Sequence, residues 1–130
     1  MKEIAIDLLW LRPKKVGGTE FYIRNLLDGL MQLKEPFRFV LVTAKDNADT
    51  FTHYLTDKRF RMLTVPIESE KIGKRLIWQN LFENRLLKKN GLRLCFSPVF
   101  FRPFLNGGVS WMNTIHDIQA YHYPKYHPFY

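Results

Sequence analysis

Apolar residues occur along this chain in short runs separated by glycine, proline and polar breaks, and the period of each run predicts strands alternating with helices. Ile4 to Leu9 is apolar except for Asp7, the pattern of a central strand buried on both faces, and the polar stretch from Arg12 to Gly18 ends it. Gly18 or Thr19 then caps a helix with Ile23, Leu26, Leu27, Leu30 and Leu33 on one side and Arg24, Asn25 and Asp28 on the other. Pro36 stops it. Phe37 to Thr43 predicts a second strand, Asp49 to Leu55 a short helix, and Phe60 to Val65 a third strand closed by Pro66. From Lys71 to Asn90 the spacing of Ile72, Leu76, Leu81, Phe82 and Leu86 predicts an amphipathic helix, with Gly91 as its left-handed cap. Leu92 to Ser97 reads as a strand. After a loop with Pro98, Pro103 and the Asn106-Gly107-Gly108 turn, Val109 to Ile115 reads as the last.

Strands alternating with helices imply right-handed crossovers and a doubly wound parallel sheet, so the expected fold is one Rossmann-like α/β domain over residues 1–130. In such sheets ligands bind beyond the carboxyl ends of the strands, where the strand order reverses. The loops Arg12 to Thr19 and His116 to Tyr123 are therefore the first places to look for function.

Composition supports a single domain: the chain has 130 residues, 46% hydrophobic and 15% aromatic, enough for a core of its own. No apolar run approaches the roughly 20 residues of a membrane span, and the start, MKEIAIDLLW, lacks the features of a signal peptide. The expected location is cytoplasmic. Cys95, the one cysteine, lies between Leu94 and Phe96 and reads as a buried strand thiol. The net charge of +8 favours anionic partners, in the classes of nucleic acid, anionic lipid and phosphorylated substrates.

Gly17 and Gly18 join the first strand to a helix N-terminus, where free amides and the helix dipole suit a phosphate group. Neither G-x-G-x-x-G nor a loop ending in Gly-Lys-Ser/Thr is present, so by local sequence the pair reads first as a turn requiring positive φ. Glu20 reads as an acidic first-turn residue. His116 and Asp117 directly follow the last strand, where a histidine can donate to a sugar hydroxyl and an aspartate can fix a loop through backbone amides. The spacing of His116, His122 and His127 matches no structural zinc pattern, and no nucleophile elbow is present; no metal and no cofactor are expected.

Three segments, in order, resemble the N-terminal domain of GT-B glycosyltransferases of group 1, or family 4 type. IAIDLLWLRPKKVGGTEFYIRNLL resembles that family's first strand, glycine-rich loop and first helix; FSPVFFRP resembles the loop after its fourth strand; VSWMNTIHDIQAYHYPKYHP resembles its next strand and His-Asp motif. The likeness runs from one end of the chain to the other, with the middle matched in strand and helix order. It implies a retaining transferase that moves a sugar from a nucleotide-sugar donor to a glycan or lipid-linked acceptor, work associated with cell-envelope polysaccharides. It also implies roles for single residues. Gly17 and Gly18 match the loop against the donor diphosphate, and His116 the histidine that assists transfer. Glu20, Ser97 and Asp117 match motif positions of the cleft and acceptor side, and Phe100 and Arg102 fall in the loop that recognises acceptors. The family's second domain, which holds most of the donor nucleotide, has no counterpart in this chain. The expectation is the N-terminal half of a longer or truncated enzyme, inactive alone because half a cleft does not hold both substrates in attack geometry.

A rival of a different class is a non-catalytic basic module on an anionic membrane surface. The Lys71 to Asn90 helix carries Lys71, Lys74, Arg75, Arg85, Lys88, Lys89 and Trp78; the same pattern fits a crossover helix with a solvated basic face. Peripheral docking at the inner membrane face is compatible with the transferase reading. No nucleic-acid-binding motif is present, and nucleic acid is not an expected partner.

Overall fold

A computed structural model describes residues 2–15, 17–105 and 107–116, together with His122 and Lys125. It contains a five-stranded sheet, parallel throughout, of β1 (Lys2–Asp7), β2 (Phe37–Ala44), β3 (Phe60–Val65), β4 (Leu94–Ser97) and β5 (Ser110–Asn113) in the order β3-β2-β1-β4-β5. This is the Rossmann-like α/β arrangement, with its order reversing between β1 and β4.

Period-two alternation in the central strands divides the core in two. Ile6, Phe39 and Leu41 point to one face, where they meet Ile23 and Leu27 of α1 (Gly18–Gln32) and Phe51 and Tyr54 of a 3-10 helix, Ala48–Thr56. Ala5, Val40, Val42 and Cys95 point to the other, under Leu87 and Trp78. Arg59 closes the first layer by donating to the carbonyls of Leu30, Met31 and Leu33 at the end of α1, whose last turn has no basic residue of its own.

Several boundaries differ from the periodicity. The short helix at 48–56 is 3-10, and the outer strands contract to Leu94–Ser97 and Ser110–Asn113. The helix expected over 71–90 runs as α2 (Ile72–Trp78), a π-helical turn (Gln79–Glu83) and α3 (Asn84–Lys89), ending at left-handed Gly91 as its sequence predicts.

The largest difference is in which side of that helix faces inward. Ile72, Leu76, Leu81 and Phe82, the residues that defined its apolar face, are exposed, whereas Gln79, Glu83, Asn84 and Leu87 are buried. Polar groups of the sheet decide this. Gln79 Nε2 donates to Asp7 Oδ2 at 3.1 Å and to Glu83 Oε2 at 3.0 Å, while Asn84 accepts from Trp111 Nε1 at 2.8 Å. Burying those strand and loop groups without partners costs more than leaving a few aliphatic side chains in water.

Candidate functional site

The site begins at the end of β1. Asp7 O accepts from Trp10 Nε1 at 2.8 Å and Asp7 Oδ1 from the Leu9 amide at 3.0 Å, so the chain folds into a buried turn over Leu8 to Leu11. Asn47, entirely buried after β2, clamps that turn. Its amide donates to Leu8 O and Leu11 O, both at 2.8 Å, and its oxygen accepts from Ala44 N at 2.9 Å. Trp10 and Arg12 are thereby held at the carboxyl edge of the sheet.

The polar loop that follows is closed from within. Lys14, in the left-handed region at φ 64, donates its amide to both carboxylate oxygens of Glu20, at 3.2 and 3.3 Å; Glu20 also lies 3.6 Å from Arg24. Gly17 precedes α1 at φ 57 and ψ −124, a conformation that a Cβ strains. The positive φ expected of the glycine pair is therefore at Gly17. Gly18 is helical, and a Cβ there would meet nothing within 4 Å.

The loop after β4 forms the facing wall. Ser97, buried, donates its hydroxyl to Val99 O at 3.2 Å, and Asn113 at the end of β5 donates to Val99 O at 3.0 Å and to Phe101 O. Between the two loops, where the strand order reverses, lies an open cleft of about 700 Å³. Arg12, Lys15 and Arg75 supply its charge, Gly17 and Thr19 bring the N-terminus of α1, and Trp10, Phe100 and Phe101 supply aromatic surface. Lys15 is ion-paired with Glu70. Arg75 donates to Ser69 O at 3.1 Å, but its buried Nε has no hydrogen-bond partner among the described residues. Burial, with the like charge of Arg12 behind it, holds Arg75 below the ordinary arginine pKa even against the attraction of Asp7. Juxtaposed cations beside the amides of a first helical turn have the chemistry that suits a phosphate-like anion, and the aromatic faces suit stacking on a sugar ring.

Beneath the cleft, Asp7, Gln79 and Glu83 form a buried polar cluster. Desolvation raises Asp7 from 3.8 to about 6, against the Leu9 hydrogen bond, the charge of Arg75 and the Gln79 contact. Desolvation, reinforced by the charge of Asp7, raises Glu83 well above its usual value, and Glu83 Oε1 has no partner among the described residues.

His116 stands at the same sheet edge but does not line the cleft. Its Nε2 donates to Pro98 O at 2.6 Å, and its ring packs edge-on against Tyr22 of α1, centroids 4.8 Å apart. Tyr22 in turn shares a 3.2 Å hydrogen bond with Thr114. His116 therefore joins α1 to the β4 loop. Of the other expected site residues, Gly17 and Phe100 are in the cleft wall; Gly18, Glu20, Ser97 and the exposed Arg102 do not line it; Asp117 lies outside the described residues. Among the described residues no group of three His, Cys, Asp or Glu is placed to hold a metal ion.

The sequence reading pointed to the loop that begins at Arg12, but missed Arg75 and Gln79 as cleft residues and Asn47 and Asn113 as the loop clamps. One signal was available: Asp7, alone in an apolar strand, needs buried partners, and Gln79 and Glu83 are four apart on a helix. No family model, curated protein or solved structure matches this chain.

Proposed function

We propose that the chain is the acceptor-side, N-terminal half of a GT-B retaining glycosyltransferase whose cleft meets the diphosphate of a nucleotide-sugar donor. The observation that carries the reading is the cleft itself: Arg12, Lys15 and Arg75 gathered with the N-terminus of α1 at the reversal of a parallel sheet. The resemblance of the glycine loop, the Ser97-Pro98 loop and the His116-Asp117 segment to that family supports it.

In the proposed reaction the bond from the anomeric carbon to the diphosphate breaks, an acceptor hydroxyl bonds to the same face, and its proton passes to the departing phosphate. The cations of this chain stabilise the charge that grows on the leaving diphosphate. The aromatic wall at Trp10, Phe100 and Phe101 takes the acceptor, a glycan or lipid-linked sugar. His116, hydrogen-bonded to Pro98 O, positions the wall loop. A second domain completes the donor site, and no metal or other cofactor is assigned.

Calorimetric titration of the full chain with inorganic pyrophosphate, a nucleoside diphosphate and the parent nucleoside tests the reading. Binding of the two phosphates but not the nucleoside is expected, weakened about tenfold by Arg12→Gln, the loss of one charge-assisted contact. Unchanged phosphate affinity in Arg12→Gln, or no phosphate binding, would refute it.

A further inference from the structure

Residues 71–109 carry eight of the chain's twenty Lys and Arg but one of its twelve Asp and Glu, so +7 of the net +8 lies in this stretch. The single acid, Glu83, is fully buried. Every charge this segment turns to solvent is positive. The same segment turns out apolar side chains: Ile77 is 63% exposed, Leu81 52%, Phe100 81% and Phe104 93%.

These residues form one surface. Phe104 N donates to Asn80 Oδ1 at 2.8 Å and Asn84 Nδ2 to Leu105 O at 2.6 Å, which pins the loop after β4 along the helix. Gly107 makes that approach possible, since a Cβ there would lie 2.5 Å from the Cβ of Asn84. Leu105 consequently shares a hollow with Leu81, Arg85 and Lys88, and Phe100 shares the cleft wall with Leu76. The outward apolar stripe exists because the inward one is polar, committed to Asp7 and Trp111.

We infer that this face docks on an anionic lipid bilayer, with Ile77, Leu81 and Phe104 entering the acyl boundary and Lys74, Arg85, Lys88 and Arg102 at headgroup level. Charge selects this occupant. A second copy would bring a like-charged rim against it, whereas anionic headgroups complement a rim without acids. Large exposed aromatics beside lysine and arginine are the composition of a surface lying in the interface, and among the described residues no helix is long and apolar enough to cross a membrane. The docking inference is independent of the transferase reading and is tested without any donor.

The test is co-sedimentation of the full chain with vesicles of equimolar phosphatidylcholine and phosphatidylglycerol, against vesicles of phosphatidylcholine alone. Binding to the anionic vesicles, weakened by added salt, is expected. Lys74→Ala with Lys88→Ala should lower the partition coefficient about thirtyfold, on the order of fivefold for each lysine. Leu81→Glu should lower it at least as far, while Lys58→Ala and Leu33→Glu, away from this face, leave it unchanged. Thermal unfolding of each variant verifies that it is folded; all substituted positions are exposed. Failure to bind anionic vesicles at low salt would overturn the inference, as would equal losses from Lys58→Ala and the lysine pair. So would a change in oligomeric state on Leu81→Glu in a protein that binds no vesicles.

Discussion

Replacing Asp7 by Asn tests whether burial or the Arg75 charge governs the acid beneath the cleft. Asp7 is fully buried, and desolvation raises it from 3.8 to about 6 despite the opposing hydrogen bonds and Arg75. A folded-state pKa above the unfolded value means that the folded protein holds the proton more tightly. The associated stability is present below the unfolded pKa and is lost as pH rises from about 4 to about 6. A rise of this size corresponds to about 3 kcal/mol. In Asp7→Asn that loss disappears. The amide oxygen still accepts from Leu9 N, and Gln79 turns its carboxamide over to accept from the new NH₂. Removing the charge of Asp7 also relieves Glu83, whose pKa that charge helps to raise. Relative to the wild type, the variant should therefore gain about 3 kcal/mol between about pH 4 and pH 7. Urea unfolding followed by tryptophan fluorescence across that range measures the difference. Parallel stability curves would refute the reasoning. So would the opposite sign, with the wild type gaining as pH rises, because that is the behaviour of an aspartate dominated by an ion pair to Arg75.

Asn47→Ala removes three buried hydrogen bonds that hold the turn after β1, and a loss of about 3 kcal/mol in urea unfolding is expected; a loss below about 1 kcal/mol would show the turn to be self-supporting. Gly17→Ala should cost about 1–2 kcal/mol through its backbone conformation, while Gly18→Ala, helical and open, should be neutral or slightly stabilising. The reverse order in thermal unfolding would place the strained position at Gly18. Burial raises the Cys95 thiol well above its usual value, so the folded chain should react with a thiol reagent only as it unfolds; fast labelling in native buffer would contradict its burial.

Which parts of this protein the sequence determined follows from the range of the interactions. β1 and β2 are readable as runs because strands covered on both faces need apolar residues at successive positions, and the position of the glycine loop follows from where the first run ends. Gly91 is readable because a left-handed cap is a local demand. The orientation of the helix over 72–89 is a different kind of fact. Its apolar spacing names a face, but only the neighbours supply the competing term: Asp7 lies 72 residues from Gln79, and Trp111 lies 27 from Asn84. The unmet hydrogen bonds of those groups outweigh the exposure of Ile72, Leu76, Leu81 and Phe82. The cleft is non-local for the same reason. Arg12 and Arg75 belong to different elements and become one charged wall because β1 and β4 pair in parallel, placing the loop of the first beside the helix that leads to the second. Periodicity records how a segment treats water; which neighbour replaces the water was decided by strand order and by the few buried polar groups that had to be satisfied.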